Sequence, residues 1–262
     1  HHRHNLNLTY AIRDGIISHC GEMNQMSIKK RDEYIDLQNY TSPGQYNPYT
    51  WEGCVVKMAD KIAYLARDIE DALRLKVLKE NKVEVLKASL NNITSEYHFT
   101  AINNGTVVNY FIQDVCSHSN PSDGISLSKE AFEIMNTIMK FNYQNIYLID
   151  RVQIHTNYVK LILNSIFDFF IKYDLMARDS NTNIIDEISK DKDQFPHAIN
   201  GFIHWLEKYS VMNGAKRDSL YQNKVIYDFI NDDKAIIKSI LDYLSGMSDA
   251  YIIQIFNELI SF

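Results

Sequence analysis

The sequence predicts an all-α protein, and three observations carry that expectation. Apolar residues recur at steps of three and four through most of the chain. Only nine glycines and four prolines punctuate 262 residues, too few for the many tight turns of an all-β fold. With 45% hydrophobic and 12% aromatic residues, the chain can bury a sizeable core and reads as globular.

The elements run in order along the chain. Asn7 or Thr9 caps a first helix that carries Ala11, Ile12, Ile16 and Ile17 and closes near His19 and Cys20. The next stretch, to Thr50, holds Pro43, Gly44 and Pro48 among polar residues and tyrosines; it reads as a long surface loop with one short helical piece, of the length that often shapes a site. Thr50 caps a helix over Trp51–Leu73, which can run on through residues 73–80. Another helix starts near Asn104 with Val107, Val108, Phe111, Ile112 and Val115 on its apolar face. Ser128 reads as an N-cap, with Glu130 and Glu133 in the first turns. Residues 152–173 place Val159, Ile162, Ile166, Phe169 and Phe170 at helical spacing and read as a core helix. A polar, acidic break comes next. Amphipathic pieces then appear around Ile199–Leu206 and Val225–Ile230, and at 234–245 and 249–260. No fixed-period repeat is present.

Charge and cysteine usage exclude several functions. The formal net charge is −6 and no long basic block stands out, so nucleic acid is a poor partner. Local cations can still serve a phosphorylated small molecule. Cys20, Cys54 and Cys116 show no paired or zinc-like spacing and fit a reducing cytoplasm as ordinary small apolar residues. No apolar run reaches membrane-span length, so no membrane association is expected. The start at His1, His2, Arg3 and His4 without methionine is expected to reflect a missing upstream part or a tag remnant.

The segment Trp51–Leu73 carries two stripes. Val55, Ala59, Ile62, Ala66, Ile69 and Leu73 form one apolar edge expected to face the core. Asp60, Tyr64 and Asp68 stack at i, i+4 and i+8 on a neighbouring face. A carboxylate with hydrogen-bonding groups one and two turns further along suits an ion and then a polar substrate, although a solvated helix face has the same spacing. Lys57, Lys61 and Arg67 lie on or beside this helix and could offset triphosphate charge or simply face solvent.

Four blocks then resemble a family in their order and separation. They are NLTYAIRDGIISHCGE at 7–22, WEGCVVKMADKIAYLARDIEDAL at 51–73, LSKEAFEIMNTIMKFNYQNIY at 127–147 and DYLSGMSDAYIIQIF at 242–256. Together they resemble the later two-thirds of bacterial deoxynucleoside triphosphate triphosphohydrolases of the HD superfamily, the dGTPase-like proteins. DYLSGMSD is similar to that family's GMTD signature ahead of a terminal helix, and ADKIAY to its ADEIAY.

The resemblance implies an HD-domain-like helical bundle with a helical C-terminal extension: residues 1–90 as the later part of the metal-site domain and 91–262 as a helical region packed with it. It implies a metal site built from two histidines, an aspartate beside the second, and a distant aspartate, which would be Asp60. Tyr64 and Asp68 would match positions facing a deoxynucleotide sugar, with Asp68 suited to accept from a hydroxyl. His19 resembles a histidine that lines the site in related proteins; a helix C-terminal histidine favoured by the macrodipole is the plainer alternative. The implied cofactor is a divalent metal, Mg, Mn, Fe, Ni or Zn, since His-plus-carboxylate sites accept each according to geometry. The implied partners are a deoxynucleoside triphosphate and further copies in a homo-oligomer.

One departure bears on mechanism. No His-Asp dipeptide occurs in the sequence, and His1 and His2 do not match the ligand positions. The expectation is therefore the C-terminal portion of a longer enzyme, inactive by itself. In the intact enzyme, the metal would acidify water and polarise a phosphate oxygen, releasing triphosphate and a deoxynucleoside. The alternatives are another HD phosphohydrolase, such as a nucleotidase or phosphodiesterase, or a catalytically silent helical module for regulation or oligomerisation.

Overall fold

The computed structural model describes residues 6–21, 25–180, 182–211, 225–229, 232 and 234–261. His1, His2, Arg3 and His4, and part of the Val225–Ile230 piece, lie outside the described residues. The described chain is mostly helical, with two-residue strand pairs and a long loop before Thr50. It divides into two compact units, Asn7–Gln153 and Ile154–Phe262. Buried residues on both sides of residue 90 share one core: Met58, Leu65 and Ile69 pack in the same cluster as Val107, Phe111, Ile134 and Ile138.

In the first unit, Thr9 caps α1 (Tyr10–Ser18) by accepting from Ile12 N–H. The side of α1 that becomes buried is polar. Asp14 and Ser18 are buried, whereas the apolar Ile12 and Ile16 are exposed. The reason is a clamp: Asp14 takes an ion pair from Arg31 and, on its other oxygen, the Tyr49 N–H at 2.7 Å. Arg31 also donates to the Tyr10 hydroxyl at 2.8 Å and to the carbonyls of Asn47 and Glu33. Tyr10 stacks on Tyr34 with ring centroids 4.1 Å apart. The long loop is thereby fastened to α1, with a 3-10 turn at Leu37–Asn39 as its one helical piece.

Strand β1 (Ser27–Ile28) pairs antiparallel with β2 (Ile125–Ser126), which ties the start of that loop to the segment before Ser128. Gly124 is required there: its φ is +98°, and a Cβ would stand 2.5 Å from the Ile28 carbonyl oxygen.

Thr50 caps α2 (Trp51–Ala63) as expected, accepting from Gly53 N–H at 3.1 Å. The helix then breaks, and α3 (Arg67–Arg74) starts afresh, so Trp51–Leu73 is not one helix. The expected apolar edge holds only from Ile62 onward: Ile62, Ala66 and Ile69 are buried, but Val55 is 48% exposed and Ala59 is exposed, and in α2 Cys54, Lys57, Met58 and Lys61 take the inward face instead. Two buried lysines hid that face from the hydropathy pattern. α4 (Glu80–Ile93), a helix not expected from the sequence, buries Val83, Leu86 and Leu90 at helical spacing.

α5 (Asn104–His118) starts with a capping box between Asn103 and Thr106, and α6 (Lys129–Asn142) is capped by Ser128 as expected. A π turn, Tyr143–Tyr147, continues directly from α6.

α7 (Asp150–Ser180) runs from the end of the first unit into the second. Its Ile162, Ile166, Phe169 and Phe170 are core, but Val159 is exposed, so the buried stripe begins later than the sequence suggests. The second core adds α8 (Ile184–Ser189), α9 (Pro196–Tyr209), α10 (Ala235–Ser245) and α11 (Asp249–Ile260). The Tyr227–Asp228 strand, β4, pairs in parallel with β3 (Ser210–Val211), so the described part of the Val225–Ile230 piece is extended and not helical. α9 lacks a side-chain cap of its own. Glu258 on α11 supplies it, accepting from His197 and Ala198 N–H at 3.0 and 2.9 Å.

Candidate functional site

The second stripe comes out as two exposed-to-half-buried steps across the helix break. Asp60 sits in the last turn of α2, exposed, with no hydrogen bond or ion pair among the described residues. Its helix face includes Val56, one turn earlier and 51% exposed. Tyr64 is the C-cap of α2 and is half-buried. Asp68 lies in the first turn of α3, and its N–H donates to the Tyr64 carbonyl at 3.1 Å. That single bond keeps Tyr64 and Asp68 one turn apart although the helix around them has ended.

Two residues that sequence reasoning missed hold this region. Asn142, almost fully buried, donates from Nδ2 to the Leu65 carbonyl at 2.8 Å, satisfying an acceptor released by the break. Tyr147 donates its hydroxyl to Oδ2 of Asp68. Both lie in the block LSKEAFEIMNTIMKFNYQNIY, but nothing in their spacing pointed to residues 77 and 79 positions upstream.

The other expected residues separate by environment. His19 is the C-cap of α1; its Nδ1 lies 2.6 Å from the Ile16 carbonyl, which can only accept, so Nδ1 donates there and Nε2 is the ring nitrogen left outside that bond. Cys20 Sγ stands 3.5 Å from that Nε2. Lys57 is not on a solvated face. Its side chain is 1% exposed, and Nζ donates to the carbonyls of Ser18 at 3.1 Å and Cys20 at 3.5 Å, closing the C-terminal end of α1. Burial lowers its pKa, offset in part by Cys54 and Cys20. Lys61 is buried as well. Arg67 is exposed and pairs with Asp71 at 3.2 Å, a surface ion pair of small energetic weight. Burial pushes the Cys54 thiol up to about 11, which suits a structural and unreactive role.

Of the expected site residues, Asp60 has a carboxylate without a partner among the described residues, which alone falls short of a complete metal site. No three His, Cys, Asp or Glu side chains among them converge on one point. A separate open cleft of about 370 Å³ lies between Tyr97, α5 and α6, lined by Glu96, Tyr110, Asp114, His118 and Glu130. It contains none of the expected site residues. Its polar groups largely serve one another: Asp114 accepts from Ser128 N–H at 2.8 Å and pairs with His118 at 3.2 Å.

No family model matches the chain. Individual proteins do. A deoxyguanosinetriphosphate triphosphohydrolase-like protein of Clostridium perfringens (strain SM101 / Type A) is 25% identical over 263 residues, covering 97% of this chain and 54% of the relative. This chain resembles the dGTPase-like proteins. A second protein of that description, from Desulfatibacillum aliphaticivorans, is 30% identical over 171 residues, 63% of this chain and 42% of the relative. A third, from Rickettsia bellii, is 23% identical over 267 residues, 98% and 62%. The chain thus spans about half the length of the curated relatives it matches first. The dGTPase-like resemblance runs through both compact units, since the first alignment reaches 97% of the chain. Among the described residues, no helix is long and apolar enough to cross a membrane.

Proposed function

We propose that the protein containing this chain hydrolyses deoxynucleoside triphosphates to a deoxynucleoside and inorganic triphosphate, using a divalent metal. The similarity to dGTPase-like proteins over 97% of the chain carries this reading. In the reaction, a water oxygen bonds to phosphorus, the ester P–O bond breaks, and the water proton ends on the deoxynucleoside hydroxyl.

The chain's residues take distinct parts. Asp60 contributes one carboxylate to the metal; its exposure and lack of a protein partner among the described residues leave both oxygens available. A bound divalent ion would acidify water and polarise a phosphate oxygen. Tyr64 and Asp68 receive the sugar, and His19 presents Nε2 toward the phosphates. Arg67 is the cation best able to reach a triphosphate, because its surface pair with Asp71 costs little to break. Lys57 acts indirectly, since its ammonium is committed to the carbonyls that end α1. The assignment includes a homo-oligomer in the cytoplasm.

One observation favours a second reading, a catalytically silent helical module: among the described residues, no three metal-ligating side chains converge. Incubation with dGTP and Mn²⁺ or Mg²⁺, with chromatography of the triphosphate and deoxynucleoside released, separates the two. Hydrolysis that falls at least 10-fold in Asp60→Ala, together with loss of bound metal, supports the enzyme. No hydrolysis and no retained metal in the wild-type protein, with Asp60→Ala behaving alike, would leave the silent module. A panel of other phosphoesters distinguishes a nucleotidase or phosphodiesterase.

A further inference from the structure

We propose that Tyr147 is a positioning residue for the sugar of the substrate: its phenol fixes one oxygen of Asp68 so that the other is presented to a deoxyribose hydroxyl. The proposal rests on the sugar-facing reading of Asp68. Three features of the structure bear on it.

First, the contact joins residues 79 positions apart through one hydrogen bond, Tyr147 Oη to Asp68 Oδ2. Oδ1 of Asp68 has no donor among the described residues, and the residue is half-buried, so one lone-pair set stays open to a ligand. A deoxynucleoside triphosphate has a single free sugar hydroxyl, and a carboxylate with one oxygen occupied and the other open matches a single donor.

Second, the backbone that delivers Tyr147 departs from α-helix just where it is needed. Tyr143–Tyr147 forms a π turn, and one extra residue per turn rotates the succeeding residues by about 100° relative to a continued α-helix. The turn is held at both ends. Asn142 anchors its start to the Leu65 carbonyl at 2.8 Å, Ile146 is buried in the core, and Gln153 donates to the Tyr147 carbonyl at 2.8 Å.

Third, the same turn fastens both sides of the α2–α3 break. Asn142 satisfies Leu65 on the α2 side, and Tyr147 holds Asp68 on the α3 side. Asp68 is therefore fixed through its backbone N–H to Tyr64 and through its carboxylate to Tyr147, which spares a bound sugar the cost of ordering it.

The test compares the affinities of dGTP and 2′,3′-dideoxyguanosine triphosphate by titration calorimetry, in the wild-type protein, Asp68→Asn and Tyr147→Phe. The proposal expects wild type to favour dGTP, Asp68→Asn to abolish the preference, and Tyr147→Phe to reduce it roughly 10-fold. A purely architectural Tyr147 would weaken both ligands alike and leave their ratio unchanged, which overturns the proposal. If the ratio survives Asp68→Asn, or wild type binds neither ligand, the underlying reading of Asp68 fails and the proposal with it. If the ratio collapses in Asp68→Asn but not in Tyr147→Phe, only the role of Tyr147 fails. Should Tyr147→Phe lose its helical circular-dichroism signal, 3-fluorotyrosine at 147 carries the test: a more acidic phenol must raise the ratio, and an unchanged ratio overturns the proposal.

Discussion

Replacing Arg31 with Met removes the cation from a nearly closed ion pair. The side chains of Arg31 and Asp14 are 11% and 1% exposed, so the surviving carboxylate has little access to water. Asp14 would keep only the Tyr49 N–H at 2.7 Å. Breaking a buried pair from one side costs about 3–5 kcal/mol, because an uncompensated charge stays behind. The lost bonds to Tyr10 and to the carbonyls of Asn47 and Glu33 act in the same direction, since each acceptor sits in the clamp. With a urea slope of about 2 kcal/mol/M, the midpoint should fall by roughly 1.5–2.5 M. Amide exchange should accelerate across residues 31–50 as that loop loses its fastening to α1. Asp14→Asn in the Arg31→Met background should recover part of the loss by removing the orphaned charge. A cost below about 1 kcal/mol, the size of a surface pair, would show that Asp14 is solvated and that the clamp does not hold the loop.

Three further outcomes are expected. Burial tends to raise the Glu258 pKa, but the His197 and Ala198 N–H groups and the His197 ring overcome it and hold the carboxyl below its ordinary 4.5. A depressed folded pKa gives stability that is present above the unfolded value and lost as pH falls through the folded one. Glu258→Gln should therefore be less stable than wild type at neutral pH, with the gap closing below about pH 4.5; a pH-independent gap in thermal melts would contradict the capping role. Gly201→Ala should destabilise the second core by about 1–3 kcal/mol, because the new Cβ would overlap the hydroxyls of Tyr243 and Tyr251, which bond each other at 3.1 Å. Tyr251→Phe should relieve part of that strain, and equal melting of Gly201→Ala and wild type would refute the close approach. Asn142→Ala strands the buried Leu65 carbonyl and should cost about 1–3 kcal/mol in urea denaturation; no measurable change would mean that water reaches the α2–α3 break.

Helix caps were legible because each is a local rule. Thr9, Thr50 and Ser128 all accept from an N–H three residues ahead. The DYLSGMSD block likewise gives a helix end at Gly246 and a new cap at Ser248. Periodicity failed where polar groups were buried with partners from elsewhere. Asp14 and Lys57 occupy inward positions on α1 and α2 because Arg31 and the Ser18 and Cys20 carbonyls compensate them, and hydropathy assigns such residues to solvent.

The same division holds for the site. Local spacing and the four family-like blocks, read directly from the chain, singled out Asp60, Tyr64 and Asp68 and the all-α architecture. That the stripe is cut between Tyr64 and Asp68, that Lys57 turns away from any ligand, and that Tyr147 holds the Asp68 carboxylate were decided only by folding. Helix propensity and spacing act over a few neighbouring residues, whereas those three outcomes depend on groups brought together from 37 to 79 positions apart, whose pairing no local pattern encodes.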